Sequence, residues 1–391
     1  MGTLTKQQAW RTEHPVVEGT VARGFQRVRE VFQTSFEKGD EVGAAVAVYH
    51  AGRPVVDLWG GLADATRGRS WQRETLVPVY SCSKGVVAIA ANMLADRGVI
   101  DLDAPVAKYW PEFASAGKQS IPVRWLLTHQ AGLAAIDRPI TYQELLSWDP
   151  VIRRLEEQTP NWYPGTAHGY HSLTFGFLVG EVIRRVTGLT PGRWIAKHVT
   201  GPLAAEFYIG LPPDLEDRVA TVLPPRPNPD GTTTLRMEPG TLPLRAIAFV
   251  QPPPTPLSVN DPALRAAEVP SANGIGTARG LARIFAAVIG GAEGICLLSP
   301  VAMERARAEQ VRGPDIAALG MDESAIGLGV QLPTASLPLG GPGSFGTTGL
   351  GGSQAWALPE ADLAFAYVTN QPVDEKPDRR ALALSQAALG K

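Results

Sequence analysis

A serine three residues ahead of a lysine is the simplest pairing here that can build a nucleophile with its own base. It occurs three times: Ser35 with Lys38, Ser81 with Lys84, and Ser115 with Lys118. On a helix, positions i and i+3 share a face with Cβ atoms about 5 to 6 Å apart, so the amine can reach the hydroxyl and take its proton. Setting separates the three. Ser35 and Lys38 fall at the charged end of an amphipathic helix, a solvated surface, and Ser115 falls in a Gly-containing loop. Ser81 follows the short apolar run Leu76 to Tyr80 and opens an apolar helix that stops near Arg97-Gly98. That context buries Lys84 and leaves Ser81 at the mouth with an unpaired N–H. Taken alone, a capping serine with a snorkelling lysine explains the same residues.

Other chemistries find little support. The elbow Gly-x-Ser-x-Gly and the zinc motif His-Glu-x-x-His are absent, and His168 and His171 lack a third metal ligand, so neither metal nor cofactor is expected. Gly274-Ile275-Gly276 follows polar residues and has Arg279 in place of a third glycine, a poor dinucleotide site. Cys82 and Cys296 are too few for a disulfide framework, and the sequence leaves open a single bridge between them.

Composition narrows the partners. In 391 residues, 36 Lys+Arg face 38 Asp+Glu without a basic block, which argues against nucleic-acid binding. With 44% hydrophobic and 19% charged residues the chain can bury a large core. No apolar run reaches the roughly 18 residues of a membrane span, and Met1 to Pro15 has no apolar leader core, so a cytoplasmic address is the expectation. Prolines crowd between Leu223 and Pro262, which marks a long loop expected to act as a lid or wall.

The elements that must position Ser81 follow from periodicity. Val21, Phe25, Val28, Phe32 and Phe36 predict a helix over about Thr20 to Lys38. Gly43–Tyr49 and Pro54–Trp59 predict a hairpin, and Ser353–Leu358 with Leu363–Val368 predicts a second, after a strand at Phe345–Gly349. A helix is expected from near Ser172 to Gly188, and a closing one over Arg380–Leu389. Strands at both ends with helices between predict an α/β (α+β) domain built from residues 1–80 and 325–391, interrupted by a helix-rich insertion at 81–324.

Ser81-Cys82-Ser83-Lys84-Gly85 resembles the nucleophile motif of the serine β-lactamase and penicillin-binding-protein superfamily. Two further motifs of its class C branch are matched in order: Tyr170-His171-Ser172 resembles Tyr-x-Asn, and Thr347-Thr348-Gly349 resembles Lys-Thr-Gly. Leu126 to Leu133 is similar to the Leu-Leu-Thr-His-x-x-Gly-Leu segment of these enzymes, and Gly169 to Thr174 is close to the phrasing of family VIII carboxylesterases. The resemblance spans about residues 20 to 390 and implies an antiparallel sheet flanked by helices, class C β-lactamase-like. It implies Ser81 as nucleophile, Lys84 and Tyr170 as a coupled base, and the backbone N–H groups of Ser81 and Leu350 as oxyanion donors. Ser172, Thr347, Thr348 and Gly349 are then expected at the substrate. Ser172 replaces Asn, and its alternative reading is a helix N-cap. Thr347 replaces the lysine that holds a substrate carboxylate, which points to an uncharged acyl substrate.

Four functions compete on this basis. A carboxylesterase working through an acyl-serine comes first, and a transacylase delivering the acyl group to an alcohol or amine is the alternative. β-Lactamase or D-amino peptidase activity, and a non-enzymatic binding relative, rank behind. The expected partner is a small-molecule acyl substrate, and the sequence leaves oligomeric state open.

Overall fold

The computed structural model describes residues 16–227, 240–253, 255–317, 323–374 and 377–390. Strand β1 (Val17–Val21) precedes helix α1 (Gln26–Glu37). The helix therefore starts later than the periodicity predicts, because Val17–Val21 pairs antiparallel with the strand at Arg53–Asp64. Gly19 hides that strand in the sequence. A Cβ on it would lie 1.9 Å from the Asp57 carbonyl oxygen, so only glycine allows the approach, and it interrupts the apolar alternation.

Strands β2 (Gly43–His50) and β3 (Arg53–Asp64) form the expected hairpin. Its two loop residues, Ala51 and Gly52, have φ of 48° and 70°, the doubly positive turn whose twist matches that of the strands. Strand β4 (Val77–Tyr80) runs into helix α2 (Cys82–Asp96), which is buried at every residue from Cys82 to Ala95. Helix α3 (Thr174–Thr187) ends at left-handed Gly188, as the sequence predicts. Strand β5 (Gly274–Gly276) pairs antiparallel with β4, giving the Gly-Ile-Gly segment a structural role beside the nucleophile.

Helix α4 (Ala278–Ile289) follows, then a hairpin of β6 (Val311–Pro314) and β7 (Glu323–Ile326) that the periodicity does not reveal. Strands β8 (Phe345–Thr348), β9 (Gln354–Leu358) and β10 (Leu363–Thr369) and helix α5 (Arg379–Ala388) complete the chain.

The main sheet is antiparallel with strand order β1-β3-β2-β10-β9-β8, so it joins both chain ends through the β2–β10 pairing. Alternation along the strands sends side chains to two layers. Val46, Val48, Phe365 and Tyr367 pack with Phe32 and Phe36 of α1 and Leu384 of α5. Ala47, Tyr49, Ala366 and Val368 belong to a second cluster with Leu281 and Phe285 of α4 and the apolar residues of α2. Burying each large side chain contributes on the order of 2 kcal/mol. The effect is to hold α2 as a fixed axle beneath the site. Among the described residues, no helix is long and apolar enough to cross a membrane, and no group of three or more His, Cys, Asp or Glu is placed to hold a metal ion.

Candidate active site

The turn from β4 into α2 brings Ser81 to the surface of a cleft. Tyr80 adopts φ of 49°, a left-handed conformation that costs a non-glycine residue about 1 kcal/mol. It is held there by Ser83, whose hydroxyl donates to the Tyr80 carbonyl and accepts the Gly274 N–H at 2.8 Å. Ser81 itself is at the N-cap of α2, with φ of −67° and ψ of −7°. Cys82 points away into the core, toward the Thr347 and Ser353 carbonyls, and burial pushes its thiol pKa up. Both cysteines are free, Cys82 buried and Cys296 exposed, so they form no bridge.

Lys84 is 4% exposed. Its Nζ lies 3.2 Å from Ser81 Oγ and donates to the carbonyl oxygens of Ser172 at 2.8 Å and Ser271 at 2.9 Å. Carbonyl oxygens only accept, so they take both N–H bonds of a neutral amine and leave its lone pair directed at the Ser81 hydroxyl. Burial lowers the Lys84 pKa from 10.5 to about 7, which makes that neutral form accessible near neutral pH.

Tyr170 closes the other side. Its hydroxyl is hydrogen-bonded to the Ser81 side chain, and its ring face lies 4.7 Å from Lys84 Nζ. Burial holds the phenol pKa well above its ordinary value, so Tyr170 is a proton donor rather than a standing phenolate. The ring packs at 5.1 Å on His129, a residue whose site role the sequence does not disclose beyond its place in the Leu126 to Leu133 segment. His129 Nδ1 accepts the His171 N–H at 3.1 Å, and His171 Nε2 accepts the Leu133 N–H at 2.9 Å while its Nδ1 faces the Gly169 carbonyl at 2.7 Å. These partners fit neutral imidazoles, and burial lowers both pKa values, that of His171 to about 4. The histidines brace the tyrosine loop.

The third motif borders Ser81 from β8. Gly349 is required there because a Cβ would lie 2.3 Å from the Val79 carbonyl oxygen. Thr348, Gly349 and Leu350 line the cleft. Thr347 does not. It is 4% exposed, donates to the Ser81 carbonyl at 3.1 Å, and sits where a Cβ on Gly85 would come within 2.9 Å of it. Its location is the seam between α2 and β8, beneath the site expected to bind substrate. Ser172 lines the cleft and precedes the N-cap of α3, which is Leu173. Its carbonyl, not a capping hydroxyl, makes the contact with Lys84.

The other two Ser-x-x-Lys pairs lie outside the cleft. Ser35 Oγ donates to the Phe32 carbonyl, and Ser115 and Lys118 both donate to the Glu156 carbonyl, tying down a loop.

The cleft is a cavity of about 400 Å³ whose wall includes Tyr80, Leu145, Leu173, Val269, Leu337 and Leu382. From the proline-rich segment, Ile247, Thr255, Ser258 and Val259 contribute to it, while 228–239 lie outside the described residues. No lysine or arginine is among the described lining residues, and Asp374 and Asp378 are. Of the aromatic residues near the motifs, Tyr80 faces the cleft, Phe345 is core and Tyr163 is 80% exposed. Trp162 packs on His171.

The Beta-lactamase family profile matches residues 28–389. The chain is 36% identical over 380 residues to the esterase/beta-lactamase LipL of Mycobacterium tuberculosis, covering 91% of this chain and 83% of that one. It is similar to the crystal structure of a family VIII carboxylesterase, with a TM-score of 0.88 and 38% identity over 96% of this chain and 99% of the other. A penicillin-binding protein homologue from Caulobacter crescentus gives a TM-score of 0.87 and 34% identity, again over 96% and 99%. Sequence, fold and geometry agree: the chain belongs to the beta-lactamase family and is a serine hydrolase of that superfamily.

Proposed function

We propose that the chain is a carboxylesterase for small neutral esters. The observation that carries this reading is the Lys84 amine, whose two carbonyl partners aim its free valence at Ser81 Oγ beneath a cavity without a described basic side chain. Among the described lining residues a substrate carboxylate would find no lysine or arginine to pair with. The name of the family VIII carboxylesterase neighbour supports the same reading, and that of LipL joins esterase with beta-lactamase.

Neutral Lys84 takes the Ser81 proton as Oγ bonds to the ester carbonyl carbon. The Ser81 and Leu350 N–H groups receive the developing oxyanion. Tyr170 gives its proton to the departing alkoxide as the C–O bond breaks, and the Lys84 ammonium then restores it. Water adds to the acyl-serine in the same way in reverse, with its proton going to Lys84 and the Ser81 oxygen regaining one from Tyr170.

Transfer to an alcohol or amine is the second reading, favoured by the largely apolar wall, which offers few groups to order a water. A cytoplasmic setting and a single small-molecule acyl substrate are part of the proposal. The test is hydrolysis of a p-nitrophenyl ester together with labelling by an organophosphonate, located by peptide mass spectrometry. Loss of turnover and of label in Ser81→Ala supports the esterase. Turnover that survives the substitution rules it out, and ester exchange on adding an alcohol selects the transfer reading.

A further inference from the structure

Tyr170 stands in a stretch without helix or strand, between His168 and the turn that opens α3. A phenol that must meet a leaving oxygen needs a fixed backbone, because a displacement of about 1 Å can cost a hundredfold in rate. Three of the ties on this stretch come from parts of the chain already in the site. The Gly169 N–H donates to the His129 carbonyl at 3.0 Å, the His171 N–H donates to His129 Nδ1, and the Ser172 carbonyl accepts from Lys84.

The tie on Tyr170 itself comes from elsewhere. Its N–H donates at 2.8 Å to Oδ1 of Asp315, the residue that follows β6. The same oxygen accepts the Ala317 N–H at 3.1 Å, and Oδ2 accepts the Ser324 hydroxyl of β7 at 3.1 Å. Ser324 Oγ in turn meets His168 Nε2 at 2.9 Å, and the Ile316 N–H donates to the His168 carbonyl at 3.2 Å. One carboxylate thus fastens the tyrosine segment to the β6–β7 hairpin through bonds to both of its oxygens. Bonds to an ionised acceptor are about twice as strong as neutral ones.

We propose that Asp315 is a positioning residue for proton donation by Tyr170, setting the depth at which the phenol reaches the leaving-group oxygen. This rests on the acid role given to Tyr170 above. The charge of Asp315 also adds to burial in keeping the phenol protonated. No step of the reaction passes through Asp315 itself.

Leaving-group dependence separates this role from a merely structural one. A p-nitrophenolate departs without help, whereas an ethoxide needs the proton of Tyr170, so the kcat/KM values of two esters of one acyl group report on acid catalysis of acylation. Asp315→Ala is expected to lose at least tenfold more kcat/KM, which reports acylation and not the deacylation that both esters share, on the ethyl ester than on the p-nitrophenyl ester. Asp315→Asn keeps an oxygen for the Tyr170 N–H and is expected to restore most of the ethyl ester rate. Ser324→Ala frees only one side of the carboxylate and should show a smaller split in the same direction, and it answers the question if Asp315→Ala does not fold. Tyr170→Phe is the reference. If it shows the split and neither Asp315→Ala nor Ser324→Ala does, the Asp315 proposal is overturned alone. Equal losses of kcat/KM on both esters in Tyr170→Phe would overturn its acid role toward the leaving group, and with it the route by which Asp315 acts.

Discussion

Lys84 Nζ and the Ser172 carbonyl oxygen, 2.8 Å apart, connect the nucleophile helix to the segment that carries the phenol. The lysine is thus both base and fastener. Its pKa of about 7 predicts a kcat/KM that is flat above neutrality and falls tenfold per pH unit below about pH 7, as the amine gains its proton. Lys84→Arg should lose at least a hundredfold in kcat, because a guanidinium keeps its proton at every accessible pH. A pH–rate profile on a p-nitrophenyl ester checks both. An acid limb unchanged by the substitution would remove Lys84 from the base role.

Restoring the family lysine at position 347 is expected to fail. The Thr347 side chain is buried against Gly85 and bonded to the Ser81 carbonyl, so Thr347→Lys forces a long charged chain into the α2–β8 seam. Ester turnover should fall at least tenfold and hydrolysis of a penicillin should not rise. Thr347→Val keeps the shape and loses one hydrogen bond, about 1 kcal/mol of stability, with activity reduced less than tenfold. Steady-state rates and thermal unfolding measure the contrast, and a lysine variant with new penicillin hydrolysis would contradict it.

Gly349→Ala places a methyl 2.3 Å from a backbone oxygen of β4, and no side-chain motion relieves that. The end of β8 must move, and the Leu350 N–H moves with it. Loss of one oxyanion donor lowers kcat by about a hundred- to a thousandfold. Labelling of Ser81 by a phosphonate, which also needs those donors, should slow in parallel. Normal labelling in this variant would place the oxyanion elsewhere.

Acid should weaken the fold through its buried histidines, against the opposing effect of one buried carboxylate. His129 and His171 have pKa values below the usual 6.5, so between pH 6.5 and 4.5 the unfolded chain binds protons that the folded one refuses. Each then removes up to about 1.4 kcal/mol per pH unit as pH falls. Glu41, buried beside Arg380 and Tyr367, is pushed up to about 6 and does the opposite between about pH 6 and 4.5, where the fold holds a proton that the unfolded chain releases. The net expectation over that interval is a loss of about 1.4 kcal/mol per pH unit, read by urea unfolding at several pH values. A flat profile would mean that a histidine is charged in the fold.

Ser81 and Lys84 are legible in the sequence through residue type, short spacing and an apolar helix, and Tyr170 only through the resemblance of Tyr170-His171-Ser172 to a family motif. The helix periodicity of Cys82 to Leu94 is enough to show that the lysine would be buried. What escapes is contact over long separations. Asp315 reaches Tyr170 across 145 residues, and nothing in Gly313-Pro314-Asp315 beyond turn composition marks it. His129 is visible only as a member of a familiar segment. Thr347 is assigned to the substrate by its motif position, whereas the pleat of β8 sends its side chain to the seam and that of Thr348 to the cleft. Strand β1 is missed for a local reason, the glycine that its close neighbour demands.

Ser81 and Thr347 touch although 266 residues separate them, so the strand at 345–348 reaches the nucleophile only through contact across most of the chain. Such non-local pairing forms late. During synthesis, then, a ribosome-bound chain short of this strand already presents hydroxyl, amine and phenol yet has no Leu350 N–H to receive the developing negative charge. A chain that stops before this strand lacks that donor and is expected to be inert.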